Sequence, residues 1–123
     1  MPNVPVIAIV DDDEAVREAL TDLLQVTGFE SRSWASAEDF LADAAIGEVD
    51  CIIADVRMPG MDGLQMQERL RRRGSDTPVI FITSAEDPVT RRRALEGGAH
   101  AYLGKPVADA LLLEHLRMAL GGG

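Results

Sequence analysis

Residues 51–63 read CIIADVRMPGMDG: an apolar run, one carboxylate at Asp55, then a loop of Met, Pro and Gly. A short continuous apolar run closed by turn residues is what a strand buried on both faces requires. Such a strand belongs in a parallel sheet covered by helices, so this stretch decides the fold class. Pro59, Gly60 and Gly63 set the turns that follow it. The stretch by itself leaves Asp55 open as a turn residue or as a reactive group held at a sheet edge.

The flanking sequence repeats the pattern. Val6-Ile7-Ala8-Ile9-Val10 and Pro78-Val79-Ile80-Phe81-Ile82 are further apolar strand runs, and residues 99–103 form a last short one. Glu30-Ser31-Arg32-Ser33-Trp34 reads as a poorer, edge-like strand. Between them, Val16, Ala19, Leu20, Leu23 and Leu24 recur at helical spacing and stop at Gly28. Ser36 opens an N-terminal capping pattern ahead of Phe40, Leu41 and Ala44, and residues 64–73 and 109–120 carry further helices. Asp87-Pro88 supplies a cap and a first-turn proline for the helix that ends at Gly97-Gly98. Arg69, Arg71, Arg72 and Arg73 fall in the last turns of their helix, where cations oppose the macrodipole.

Strands and helices therefore alternate from end to end. Right-handed crossovers then give an α/β, doubly wound (βα)5 sandwich with a parallel five-stranded sheet. The flavodoxin-like order 2-1-3-4-5, with strands one and three adjacent, is the one that brings Asp11, Asp12, Asp55, Thr83 and Lys105 together. The chain is expected to be one domain over residues 1–123, with a core of about 6–120 and residues 121–123 as a tail or the start of a linker.

Composition bounds the function. At 46% hydrophobic and 27% charged, the 123 residues suit one globular domain and exclude a disordered chain. The formal net charge of −9 repels phosphate backbones, so no nucleic-acid binding is expected of this domain. No run approaches the roughly 18 apolar residues that span a bilayer. Cys51 is the single cysteine and lies inside a strand run, which excludes a disulfide framework and points to the cytoplasm.

In an open α/β sheet, ligands meet the carboxyl ends of the strands where strand order reverses. Strand one ends in Asp11-Asp12, strand three in Asp55, strand four in Thr83 and strand five in Lys105. Three carboxylates gathered at one edge repel one another unless a cation sits among them. With only oxygen ligands on offer, the expected cation is Mg²⁺, for which Mn²⁺ can substitute. Lys105 and Thr83 add a charge and a hydroxyl suited to phosphoryl oxygens. This inventory fits phosphoryl transfer, and a carboxylate is a nucleophile for it.

These residues, in the segments ADVRMPGMDG, FITSAED and AYLGKPV, resemble the receiver domain of two-component response regulators. The wording is most like receivers that precede a helix-turn-helix transcription output. The resemblance implies that Asp55 is the phosphoacceptor and a sensor histidine kinase the donor. It implies that Asp11, Asp12, Asp55 and the main-chain carbonyl of Arg57 hold the metal. Thr83 and Lys105 would engage the phosphoryl group, Tyr102 would be the aromatic switch, and the bond from Lys105 to Pro106 would be cis.

Two rival readings conflict with the residues present. A haloacid-dehalogenase-type phosphatase wants an acid two residues after its nucleophile, and Arg57 stands there. A receiver-like module without phosphorylation would lack the acceptor or the lysine, and both are present. The expected role is thus a phosphoacceptor with at most self-phosphorylation and self-dephosphorylation, not an enzyme. One apolar residue is left over on the last helix: Leu112, Leu113, Leu116 and Leu120 make the core stripe, and Leu111 falls off it. Beside Tyr102 and Arg91, Arg92 and Arg93 of the preceding helix, it marks an output surface suited to homodimer formation on activation.

Overall fold

The three central strand runs are apolar on both sides because both sides meet helices. A computed structural model describes residues 4–121 of the chain. The elements are β1 (Val6–Val10), α1 (Glu14–Val26), β2 (Glu30–Trp34), α2 (Ala37–Ala42), β3 (Cys51–Ala54), α3 (Gly63–Arg72), β4 (Val79–Thr83), α4 (Pro88–Glu96), β5 (Ala101–Gly104) and α5 (Asp109–Ala119). The five strands pair in parallel, as the alternation of periods predicts, and in the expected flavodoxin-like order β2-β1-β3-β4-β5. Gly122 and Gly123 of the expected tail lie outside the described residues.

Alternate residues of the sheet feed two cores. Ile7, Ile9, Cys51, Ile53, Ile80 and Ile82 pack against Leu20 and Leu24 of α1 and Leu112 and Leu116 of α5. On the other face, Ala8, Val10, Ile52, Ala54, Val79 and Phe81 meet Phe40 of α2, Leu64, Met66 and Leu70 of α3, and Ala94 of α4. A period of two along buried strands produces this division. Phe40, Phe81, Leu24 and Leu116 are fully enclosed. Burial of such a side chain contributes about 1.5–3 kcal/mol relative to leaving it in water.

Element ends follow the capping chemistry, with some shifts. Asp13, Ser36 and Asp87 cap α1, α2 and α4 by accepting from backbone N–H groups, Asp87 from Thr90. The helix expected over 64–73 begins at Gly63, because Asp62 and Gln65 form a reciprocal capping box. Gly63 allows that early start. A Cβ there would collide with the Asp55 carbonyl oxygen and lie 2.9 Å from the Phe81 ring. The last strand runs over Ala101–Gly104 rather than 99–103, its first pairing being set opposite Ile80. The helix stripe expected to include Ala44 breaks after Ala42, and Ala44–Glu48 forms a 3-10 turn.

A candidate acidic site at the strand ends

The register places the site. Val10 pairs with Ala54, Ala54 with Phe81, and Thr83 with Gly104, so the next residues of β1, β3 and β5 emerge along one edge. The ladder continues one residue further: Asp11 N donates to Trp34 O, Asp55 N to Val10 O and Lys105 N to Thr83 O. Asp11, Asp55 and Lys105 are thereby fixed through their backbones before their side chains meet anything.

The side chains converge. Carboxylate oxygens of Asp11, Asp12 and Asp55 lie within 4.8 Å of one another. Asp11 and Asp55 are buried and Asp12 is exposed. Lys105 Nζ donates to Asp55 Oδ2 at 2.8 Å and to Asp11 Oδ2 at 3.1 Å. Asp11 Oδ1 accepts from Asp13 N, and Asp55 Oδ1 accepts from Arg57 N. Thr83 is fully buried beside them, its hydroxyl accepting from Ala85 N. The Lys105–Pro106 peptide bond is cis.

Burial and pairing pull these groups in different directions. Burial raises the Asp11 carboxyl above its ordinary value, and the Asp13 amide and Lys105 only partly offset it. Burial likewise lowers the Lys105 ammonium, but its hydrogen bonds to Asp55 and Asp11 outweigh that and leave it raised. The asymmetry follows exposure: the Asp11 side chain is 2% exposed and that of Lys105 is 24%. An all-oxygen cluster of three acids, two of them buried, suits a hard divalent cation, so the residues fit Mg²⁺ on their own chemistry.

Around this centre, Tyr102 lies buried with its hydroxyl donating to Ala85 O, and Arg91 donates to Tyr102 O. Arg57 reaches Asp87 at 3.9 Å across exposed ground, a pair of small worth. Arg93 turns away from β5 to meet Glu68 of α3 at 3.6 Å. The three arginines of α4 therefore do not share one face, which corrects the expectation from sequence. His100 and His115 pack edge-on, with ring centroids 5.6 Å apart. Glu38 of α2 was missed altogether. It accepts from Met61 N in the loop after Asp55, a contact spanning 23 residues that no local pattern announces.

A doubly wound sheet with an acidic pocket facing a strand-end lysine defines a class of α/β proteins that bind ligands at the switch point of the sheet. Residues 7–117 match the family described as the response regulator receiver domain, and the chain belongs to that family. It is 41% identical over 115 residues to the response regulator protein TmoT of Ectopseudomonas mendocina, covering 94% of this chain and 52% of TmoT. It is 37% identical over 121 residues to the transcriptional regulatory protein FixJ of Azorhizobium caulinodans, covering 98% of this chain and 57% of FixJ. The chain thus spans about half the length of the curated relatives it matches. The chemotaxis protein CheY4 of Vibrio cholerae superposes with a TM-score of 0.88 at 29% identity, covering 96% of this chain and all of CheY4. The function is that of a receiver domain of two-component response regulators. No helix among the described residues is long and apolar enough to cross a membrane.

Proposed function

We propose that Asp55 accepts a phosphoryl group from the phosphohistidine of a sensor histidine kinase. The observation that carries this reading is Lys105 Nζ lying between the buried carboxylates of Asp11 and Asp55. In the transfer, a carboxylate oxygen of Asp55 forms a bond to phosphorus as the bond from phosphorus to the imidazole nitrogen breaks. The electron pair leaves on the histidine ring. Asp11, Asp12, Asp55 and the Arg57 carbonyl would hold Mg²⁺, or Mn²⁺ in its place, and the ion would supply positive charge to the phosphoryl oxygens.

Once Asp55 is modified, Lys105 exchanges its contact with the carboxylate for one with a phosphoryl oxygen. The Thr83 hydroxyl, now bound to Ala85 N, turns toward another. Moving Thr83 shifts Ala85, and Tyr102 is tied to Ala85 by its hydroxyl. The change is a shift between two populated states of the loop between β4 and α4. The domain is a single phosphoacceptor unit, cytoplasmic, with no catalysis beyond making and losing its own acyl phosphate. It serves transcription regulation through an output surface on α4, β5 and α5, where Leu95, Leu111 and Met118 are 40%, 41% and 58% exposed. That surface forms a homodimer on activation.

Incubation with acetyl phosphate and Mg²⁺, followed by intact mass, tests the central step. One added phosphoryl group is expected on the wild type and none on Asp55→Asn. Equal labelling of both would refute it.

A further inference from the structure

Though only six residues long, α2 has a firm seat. Ala37 and Phe40 are fully buried, Leu41 nearly so, and the Trp34 ring packs edge-on to Phe40 at 4.8 Å. Its two ends are tied to the α3 side of the molecule. Arg73 donates to Leu41 O, and Glu38 Oε2 accepts from Met61 N at 3.0 Å. Gly60 makes room for that carboxylate. Its φ is +76°, and a Cβ at this position would collide with Glu38 Oε2. A side chain at position 60 would therefore be strained in its backbone and obstruct the contact.

The loop that Glu38 grips is the one that runs from Asp55 through Arg57 to the start of α3. It is held at its base by Gly63 N donating to Val56 O and by Arg57 N donating to Asp55 Oδ1. Between those bonds, residues 58–61 contain Pro59, which has no N–H, and Gly60, which has no side chain. Met61 N is the apex donor, and its acceptor comes from another element. The hydrogen bond from Met61 holds the Glu38 carboxyl below its usual range, as expected of an acceptor that works in its charged form.

We infer that Glu38 is a positioning residue for the acidic site: from a rigid α2 it fixes the apex of the loop that presents the Arg57 carbonyl. The inference rests on the functional reading above. Glu38 touches neither metal nor phosphoryl group. It acts by removing the freedom of the loop before any ligand arrives, so its loss weakens metal binding while leaving the chemistry at saturating metal intact.

The test uses the whole chain in wild-type, Glu38→Ala, Glu38→Gln, Gly60→Ala and Glu38→Ala/Gly60→Ala forms. Without metal, the Met61 amide should exchange with solvent about tenfold faster in Glu38→Ala than in wild type, and the glutamine variant, which keeps an acceptor oxygen, should recover most of the protection. By calorimetry, Glu38→Ala should bind Mg²⁺ about tenfold more weakly. Its phosphorylation rate at saturating Mg²⁺ should stay within about twofold of wild type. Gly60→Ala should weaken Mg²⁺ less in the Glu38→Ala background than in wild type, because the two share one contact. Unchanged Met61 exchange or unchanged Mg²⁺ affinity in Glu38→Ala overturns the inference. A wild type that binds no Mg²⁺ while its Met61 amide is protected overturns the functional reading, and this one with it.

Discussion

Lys105 and Asp55, separated by 50 residues in the chain, meet at 2.8 Å at the edge of the sheet. The same ammonium serves Asp11, so one cation satisfies two buried acids. Removing it leaves those carboxylates facing each other without a counter-charge. Lys105→Met should therefore destabilise the metal-free protein by about 1–3 kcal/mol in urea melts. Added Mg²⁺ should recover part of the loss. A variant as stable as wild type in EDTA would mean that the lysine contributes nothing to holding the pocket.

The pH dependence of the same pocket has a definite sign. Burial raises the folded-state value for Asp11 above its unfolded 3.8. A raised group contributes stability below the unfolded value and loses that contribution as pH rises through the folded one. Ionised Asp11 is thus a growing burden from acid toward neutral pH. In EDTA, Asp11→Asn should gain on wild type in melting temperature as pH rises from about 4 to about 7. A difference that shrinks over this range would contradict the direction.

Cys51 gives a probe of the sheet. Fully buried on β3, its thiol is pushed up to about 12 from 9.0, first by burial. The thiolate is therefore about a thousandfold scarcer than in a free thiol at the same pH. Iodoacetamide at pH 8 should leave the native protein unmodified for hours and react fully in denaturant. Labelling of the native state at the rate of a free thiol would show that β3 opens far more readily than a central strand should.

Neighbouring arginines on α3 should behave differently. Arg71 donates to Gly97 O, Gly98 O, Ser75 O and Thr77 O, clasping the end of α4 and the approach to β4. Arg72 is exposed. Arg71→Met should cost about 1–3 kcal/mol because these carbonyls lose their donor. Arg72→Met should stay within about 0.5 kcal/mol of wild type. Equal effects would reduce Arg71 to a charge opposing the helix dipole.

That pair also marks where sequence reasoning stops. Strands, helices and their order were legible because period two and period 3.6 are written locally, and the strand ends carried Asp11, Asp55, Thr83 and Lys105 to one edge. Arg71 and Glu38 were not legible, since each acts on backbone groups in a distant segment. Gln67 is similar: it is enclosed, it donates to Ala94 O, and its own carbonyl oxygen lacks a partner. A glutamine on a helix reads as solvated surface until the facing helix is in place. The reading of Arg91, Arg92 and Arg93 as one face failed for the same reason, because a run of like residues does not disclose which neighbour each one meets.

The proposed output surface makes the last prediction. On α5, Leu112 and Leu116 are fully buried, whereas Leu111 and Met118 project outward. Val89 and Leu95 of α4 are exposed as well, so four large apolar side chains lie on the two helices nearest the β5 edge. Scattered exposed leucines need no account, but the β5 edge beside them is the free edge of the sheet and carries Tyr102. Arg91 spans that edge by donating to Tyr102 O, which couples it to Ala85 and so to Thr83. If Thr83 turns toward a phosphoryl group on Asp55, as proposed, the change reaches this face through that chain of bonds. With beryllofluoride standing in for the phosphoryl group, sedimentation should move from monomer to dimer, and Leu111→Glu should abolish the shift while Asp55 still takes up phosphoryl. If the activated wild type remains monomeric at high concentration, this face is not a dimer surface, and its apolar residues serve a different partner.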